Sequence, residues 1–557
     1  MLSKNDIFKL FKYLTFFFYF SAVYQFLCFV NNVSGFLGLR SAFYLSFIWL
    51  VPIVLFPKYT KIVSAFIGIL LLVTSLFSLG YFILYSQEFS QSVIFIIFES
   101  NMKESSEFFN TYFQWWMSIV FIGYIYVSFR LWKWLEPVSL NYKGRIFITL
   151  LSSFLFIMPF TKPYISKGKS YDYALTKQLN NMESSAPWNL IVGYMDYKEV
   201  LASMESLLLE NSKIKPLSNL VSKDKDSTLV LVIGESTNRN RMSLYGYSRD
   251  TTPNLNKKKD DMVVFNNVYS PRPYTIEVLQ QALTFANEKN PNEYLTKPNL
   301  LNIMKQAGYE TYWITNQQTQ TKRNTMLTTF SKMADHQVYL NNNRRQNSSS
   351  YDEVVIAPLN KALKDSKYHK KFIVVHLIGA HSKYAYRYPS KFSKFTDSKT
   401  PKKLNDSQTY KYNTYDNAVL YNDFVVSEII NSVSSVKNPA VMLYLSDHGE
   451  EVFDAKDRLV QGRNEASPTS AMYTIPFLIY ANKEWKQRND FEQLKNYTNR
   501  LYTSADLLFT YCDLAHFSFD AFDESRSIIN KNFKQHSVFI GDPEKKSKLR
   551  DLVKEPF

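Results

Sequence analysis

Leu229-Val-Leu-Val-Ile-Gly-Glu-Ser236 and Val441-Met-Leu-Tyr-Leu-Ser-Asp-His-Gly-Glu450 are two apolar runs, each ending abruptly in side chains that bind metal ions. Short β-branched runs of this kind read as buried strands of a parallel sheet. In open α/β sheets, ligands bind beyond the carboxyl ends of the strands. Glu235 from the first run, with Asp447 and His448 from the second, would meet at that edge as a mixed oxygen and nitrogen donor set. Either acid alone could simply cap a turn. Matched strands delivering all three favour a metal site.

Around these runs the pattern is α/β. Residues 229–233, 263–268, 310–315, 372–378, 441–446 and 475–480 read as strands. Helical patterns lie between several of them, such as 299–307 with Gly308 as its C-terminal cap. This alternation implies a central, mostly parallel sheet flanked by helices. The stretches 341–350 and 393–407 are polar and read as surface loops.

The first ~160 residues differ in kind, being dense in Phe, Tyr, Leu and Ile. Runs at about 10–31, 38–56, 62–85, 115–134 and 145–161 are each long enough to span a bilayer, which takes roughly 20 apolar residues. No cleavage signal follows the first run, which reads as an uncleaved anchor. Lys4, Lys9, Lys12, Lys58, Lys61, Arg130, Lys133, Lys143 and Arg145 fall on one side of such a five-span bundle, and Arg40 and Lys162 are exceptions. The positive-inside rule then places the N-terminus inside and the C-terminal part outside. The segment 87–114 is too polar to cross, and its Phe-rich stretch 93–98 is expected to lie at the outer interface. Ionisable groups are nearly absent from the spans, which argues against a transporter.

Three parts follow: a five-span transmembrane domain over 1–162, a connector with amphipathic helices over 163–225, and a catalytic domain over 226–557. The formal charge of +16 raises nucleic acid as a partner. Scattered lysines and the lack of any nucleic-acid motif set that aside in favour of anionic membrane lipids. Cys28 and Cys512 lie in different parts and are not expected to pair. All seven histidines lie at or beyond residue 336, so histidine chemistry belongs to the last part.

Further motifs complete the series: Tyr245-Gly-Tyr-Ser-Arg-Asp-Thr-Thr-Pro253, Ser270-Pro-Arg-Pro-Tyr-Thr-Ile-Glu277, His376-Leu-Ile-Gly-Ala-His381 and Gln461-Gly-Arg-Asn-Glu465. In this order they closely resemble the membrane-bound phosphoethanolamine transferases of Gram-negative envelopes, a branch of the alkaline phosphatase/sulfatase superfamily. The resemblance runs along nearly the whole chain and is strongest to the subgroup that modifies a heptose phosphate of the lipopolysaccharide inner core. It implies an inner-membrane, multi-pass protein with a periplasmic sulfatase-like domain. It also implies a phosphatidylethanolamine donor, a lipopolysaccharide core acceptor and a zinc ion held by Glu235, Asp447, His448 and the nucleophile Thr275. Chemistry supports each role: zinc takes carboxylates and imidazole, and a divalent cation can present a threonine as an alkoxide. Thr275 also begins a helix-like run, where backbone N–H groups favour an anionic phosphate.

By the same resemblance His381 and Asn316 would touch substrate, whereas His376, still inside the apolar strand, reads as structural. Lipid A transferases carry a further histidine after Asp-His-Gly-Glu; here Leu459-Val-Gln-Gly-Arg463 has none. Arg463 is expected to clamp a phosphate in its place. That departure counts against a second zinc held by protein side chains, although two ions in turnover stay open.

The rival readings are a lipid A transferase, a glycerolphosphate transferase of the lipoteichoic-acid type, a sulfatase, and a membrane-anchored scaffold with a dead enzyme fold. Ser270-Pro-Arg-Pro lacks the sulfatase maturation register, and intact Glu235, Thr275, Asp447 and His448 argue against a scaffold.

Overall fold

The computed structural model describes residues 3–31, 33, 35–85, 89, 115–317, 325–342, 349–400, 402–465, 467–543 and 549–557. The expected interfacial stretch 93–98 and most of the loop 341–350 lie outside the described residues. Two compact units emerge, one over Met1–Ala202 and one built from the chain beyond it.

The first unit is helical: α1 (Lys4–Val30), α2 (Phe36–Leu55), α3 (Thr60–Tyr85), α4 (Trp115–Trp134) and α5 (Tyr142–Thr161), then α6 (Tyr171–Met182) and the start of α7 (Trp188–Ser212). Polar caps set where helices begin. Ser3 accepts from Asp6 N at 3.1 Å while the Asp6 carboxylate accepts from Ser3 N, and Asn141 Oδ1 accepts from Gly144 N at 2.8 Å. Four helices among the described residues are long and apolar enough to cross a membrane: Lys4–Val30, Phe36–Leu55, Thr60–Ile83 and Tyr142–Ser166. The expected fourth span does fold as the twenty-residue helix α4, but it is not among those four. Two tryptophans at its start and Arg130 and Lys133 near its end dilute its apolar character. At one end of this bundle Lys12 pairs with Glu136, and Lys61 Nζ donates to Leu135 O at 3.1 Å.

Both expected connector helices are present as α6 and α7. On α7, Leu201 is partly buried, and the side chains of Val200, Met204, Leu207 and Leu208 lie outside the described residues.

The second unit is built on a seven-stranded sheet: β1 (Ser227–Gly234), β2 (Met262–Val264), β3 (Glu310–Thr315), β4 (His336–Tyr339), β5 (Lys370–His376), β6 (Ala440–Ser446) and β7 (Phe477–Ala481). Their order is β2-β7-β6-β1-β5-β3-β4, and only β7 runs antiparallel to its neighbours. Leu229, Leu231 and Ile233 point into one buried cluster and Val230 and Val232 into another. This alternation, buried on both faces, explains why β1 reads as an unbroken apolar run. The helix α9 (Asp406–Ser434) covers the second face. Leu300–Gln306, labelled α8, is capped by Asn299 and closed by Gly308 at φ +82°, a backbone state that glycine adopts without a Cβ penalty.

Two strand expectations need correction. The run 263–268 is two short strands, because the chain turns at Phe265 and Asn266. Its second half, Asn267–Tyr269, leaves the sheet to pair in parallel with Leu501–Thr503. Strand β4 was not expected: it has four residues, sits at the sheet edge and is only partly buried, so it lacks an apolar signature.

Candidate active site

Strands β1 and β6 are hydrogen-bonded neighbours in register, with Gly234 opposite Ser446. The next residues therefore emerge side by side at the carboxyl edge. Glu235, Asp447 and His448 are fully buried there, each offering a ligand atom within 4.8 Å of the others. Glu235 Oε1 lies 3.3 Å from His448 Nε2, and Asp447 Oδ2 lies 3.2 Å from the same nitrogen. Thr275 is the first residue of the helix Thr275–Ala282, and its hydroxyl donates to Glu235 Oε2 at 2.9 Å. The hydroxyl also lies 3.5 Å from His448 Nε2.

The backbone is forced into this arrangement. Ser236, directly after Glu235, has φ +56°, an unfavourable state for a residue with a side chain. Ser236 Oγ donates to Glu235 Oε1 at 2.7 Å, and Ser236 N donates to Asp447 Oδ1 at 3.2 Å. At Gly379 (φ +49°) a Cβ would stand 2.5 Å from Glu235 O and 2.8 Å from Glu235 N, so only glycine lets the loop after β5 approach so closely. Gly449 is equally constrained, since its Cβ would meet Ala471 O at 2.1 Å.

Donor chemistry and electrostatics suit a divalent cation. The Gly449 carbonyl can only accept, so its 2.8 Å contact places a proton on His448 Nδ1, and in the neutral ring it is Nε2 that presents a lone pair to the acids. Asp447 Oδ2 is buried with no hydrogen-bond partner. Burial and the neighbouring Glu235 carboxylate push Asp447 up to about 7. Burial opposes ionisation of Glu235 too, but its contact with His448 and the positive charge of Arg463 outweigh it and hold that carboxyl well below its usual range. Two buried carboxylates sharing one pocket is the arrangement a bound cation relieves. Among the described residues there is no second group of three or more such side chains.

Arg463 reaches the same place. Its Nε lies 3.2 Å from Glu450 Oε2, its Nη1 lies 3.6 Å from Glu235 Oε1, and it contacts His448 Nε2. His381 is buried nearby with Ser382 Oγ 3.4 Å from its Nδ1, and burial pushes it down to about 4. His376 is fully buried, neither ring nitrogen has a hydrogen-bond partner, and burial likewise pushes it down to about 4.

The structure does not bring the Asn316 side chain to the acids. Its Nδ2 donates to Asp352 Oδ1 at 2.9 Å and its Oδ1 accepts from Ser350 Oγ at 2.8 Å. Gln317, the next residue, is the one that reaches the site, donating to Glu235 Oε2 at 3.0 Å and to Leu377 O at 2.9 Å.

Sequence reasoning also missed Asp352 and Glu465. Buried Asp352 accepts from Ile378 N (2.9 Å) and Gly379 N (2.8 Å), fixing the loop against Glu235. Glu465 takes both arms of Arg272, at 2.5 and 3.0 Å. Only the motif containing Glu465 signalled it in advance. Arg241, from the stretch after Glu235, is fully buried beside Asp416 (2.7 Å) and Asp454 (2.9 Å) with its guanidinium 3.7 Å above the Tyr412 ring.

A sheet of this order with a threonine and an acid–imidazole cluster at its carboxyl edge defines a sulfatase-type domain, and the Sulfatase family model matches residues 227–517. Phosphoethanolamine transferase EptC of Escherichia coli K12 is 45% identical over 555 residues, covering 98% of this chain and 95% of the relative. Phosphoethanolamine transferase CptA of Salmonella typhimurium LT2 is 46% identical over the same shares. The solved periplasmic domain of E. coli EptC, in complex with Zn, is 49% identical with a TM-score of 0.59, and the match covers 61% of this chain and 97% of that one. The chain belongs to the phosphoethanolamine transferase family.

Proposed function

We propose that this protein moves phosphoethanolamine from phosphatidylethanolamine to a phosphate of the lipopolysaccharide core, a heptose phosphate, through a covalent Thr275 intermediate. It is a multi-pass membrane protein with a periplasmic catalytic domain. In our reading the chain crosses the membrane five times. An odd number of spans puts the N-terminus, with Lys4, Lys9 and Lys12, on the side opposite the catalytic domain. The domain limits follow as 1–162, 163–225 and 226–557.

The observation that carries the reading is the Thr275 hydroxyl, 2.9 Å from Glu235 Oε2 at the start of a helix. Glu235, Asp447 and His448, joined by Thr275, would hold one zinc ion. Bound zinc makes the hydroxyl more acidic and neutralises charge on the phosphoryl oxygens. Thr275 Oγ attacks the phosphorus of the donor. The Oγ–P bond forms, the bond from phosphorus to the glycerol oxygen breaks, and the threonine proton ends on the departing diacylglycerol. The first backbone N–H groups of the helix face the phosphoryl group. An oxygen of the acceptor phosphate then attacks the same phosphorus, a diphosphate linkage forms, and Thr275 regains its proton. Arg463 and His381 are assigned to the phosphates of the two substrates. Gln317 keeps Glu235 oriented for Thr275.

Mass spectrometry of envelope glycolipid from cells with and without the intact gene tests the acceptor. Loss of phosphoethanolamine from core heptose on deletion is expected. Loss from lipid A with the core unchanged would reject the acceptor. Thr275→Ala should leave a folded, zinc-binding protein that forms no covalent phosphoethanolamine adduct, and an adduct that persists would reject the nucleophile.

A further inference from the structure

Arg40 and Lys162 break the positive-inside pattern, and within the first unit they come together. A cavity of about 560 Å³ opens between the start of α2, the end of α5 with the turn after it, and α6. Five cations line it: Arg40, Lys162, Lys167, Lys169 and Lys177. No acidic side chain lines it, and among the described residues none of the five forms an ion pair. Elsewhere in this unit Lys9 and Lys12 share Glu136. Like charges held together without counterions repel one another, so their grouping needs another cause.

The walls are fixed by hydrogen bonds. Ser41 Oγ donates to Asn181 Oδ1 at 2.7 Å, tying α2 to α6, and Gln178 Nε2 donates to Phe156 O at 2.9 Å, tying α6 to α5. Lys169 N donates to Pro163 O at 3.1 Å and folds the turn back on itself. Leu45, Met158 and Pro159 make the floor apolar, while Tyr44 and Tyr173 give the rim the amphipathic aromatics of a membrane interface. The cavity lies at the end of α5 from which the chain runs on toward the second unit.

We propose that this cavity binds the head group of a lipid carrying two or more phosphates. Five cations exceed what one phosphodiester neutralises. The apolar floor and aromatic rim fit the junction of head group and acyl chain, which a soluble phosphate lacks. A lipid held here sits at the surface where the membrane ends, independent of any role in transfer. Two sources share the chemistry: a diphosphatidyl phospholipid and a phosphorylated saccharide lipid.

The test is native mass spectrometry of the full chain in detergent, titrated in separate arms with cardiolipin, lipopolysaccharide, phosphatidylglycerol and phosphatidylethanolamine. Cardiolipin, lipopolysaccharide or both should be retained at least about tenfold better than the other two, and whichever is retained identifies the source. Each lysine near an anionic head group strengthens binding about fivefold. The variant Lys162→Gln/Lys167→Gln/Lys169→Gln should therefore weaken retention about a hundredfold. The charge-matched variant Lys257→Gln/Lys258→Gln/Lys259→Gln, in the other unit, should retain lipid as the unaltered chain does. Equal retention by the first variant and the unaltered chain overturns the proposal. So does phosphatidylglycerol binding as tightly as both multiply phosphorylated lipids, or displacement of the lipid by millimolar inorganic phosphate.

Discussion

Replacing Glu465 by Gln keeps its shape and removes its charge, and the consequence should be felt at Thr275. Arg272 stands three residues before Thr275, and its guanidinium grips Glu465 at 2.5 and 3.0 Å. Glu465 stands two residues after Arg463, so one ion pair joins the loop that carries the threonine to the loop that carries the arginine. Side-chain exposures of 11% and 18% place the pair between the exposed and buried extremes. Exposed pairs contribute about 0–1 kcal/mol, and losing one partner of a buried pair costs about 3–5 kcal/mol. An intermediate cost of about 1–2 kcal/mol in stability is expected, small against the roughly 5–15 kcal/mol that holds a typical domain folded. The kinetic effect should be larger, because a displacement near 1 Å in a reacting group can cost about a hundredfold in rate. Glu465→Gln should therefore lower kcat about 10- to 100-fold with little change in KM. Arg272→Lys should do the same, because an ammonium keeps the charge but loses the fork. The decisive measurement is a double-mutant cycle on transfer from a fluorescent phosphatidylethanolamine, with Arg272→Gln, Glu465→Gln and both together. If the pair acts as one clasp, the double variant is no slower than the worse single one. Additive losses, or full activity in either single variant, refute the reasoning.

Two other outcomes follow from the same geometry. Gly379→Ala should reduce both bound zinc and transfer by at least about a hundredfold, because its Cβ meets the Glu235 backbone at 2.5 Å and the left-handed conformation itself costs about 1–2 kcal/mol; metal analysis beside an activity assay checks it. Zinc at about 100 times its Kd should stabilise the chain by about 2.7 kcal/mol, read as a rise in Tm that a chelator reverses and that Asp447→Asn diminishes.

What could be read from the sequence depended on how locally each feature is encoded. Strand β1 declares itself because both faces are buried, and Glu235 declares itself because it follows that run directly. Thr275 is different. Its own neighbourhood marks only the start of a helix; resemblance to a family singled it out, and folding sets it 2.9 Å from a carboxylate forty positions earlier. Asn316 and Gln317 show the limit most sharply. Beyond the end of β3, adjacent side chains diverge, and which of two amides faces the acids depends on where the chain turns after Thr315. Composition is silent on that. The turn is decided by Asp352, which ties down Asn316 and the N–H groups of Ile378 and Gly379 together, leaving Gln317 to reach Glu235.

The same logic explains why long motifs flank so small a centre. Arg241 and Arg249 both lean on Asp416, which projects from α9 on the face of the sheet that helix covers. Arg241 also holds Asp454 and the Val452 carbonyl, in the segment directly after Asp447–Glu450. A buried arginine bound by two acids contributes little net stability, because desolvation offsets the attraction. Its value is geometric: it fixes the segment following Asp447 and His448 to the segment following Glu235. The edge that carries Glu235, Asp447 and His448 is thus set twice, by the pairing of β1 with β6 and by this bridge beyond the strand ends. That second constraint accounts for arginine, tyrosine and aspartate in stretches that touch none of the reacting atoms.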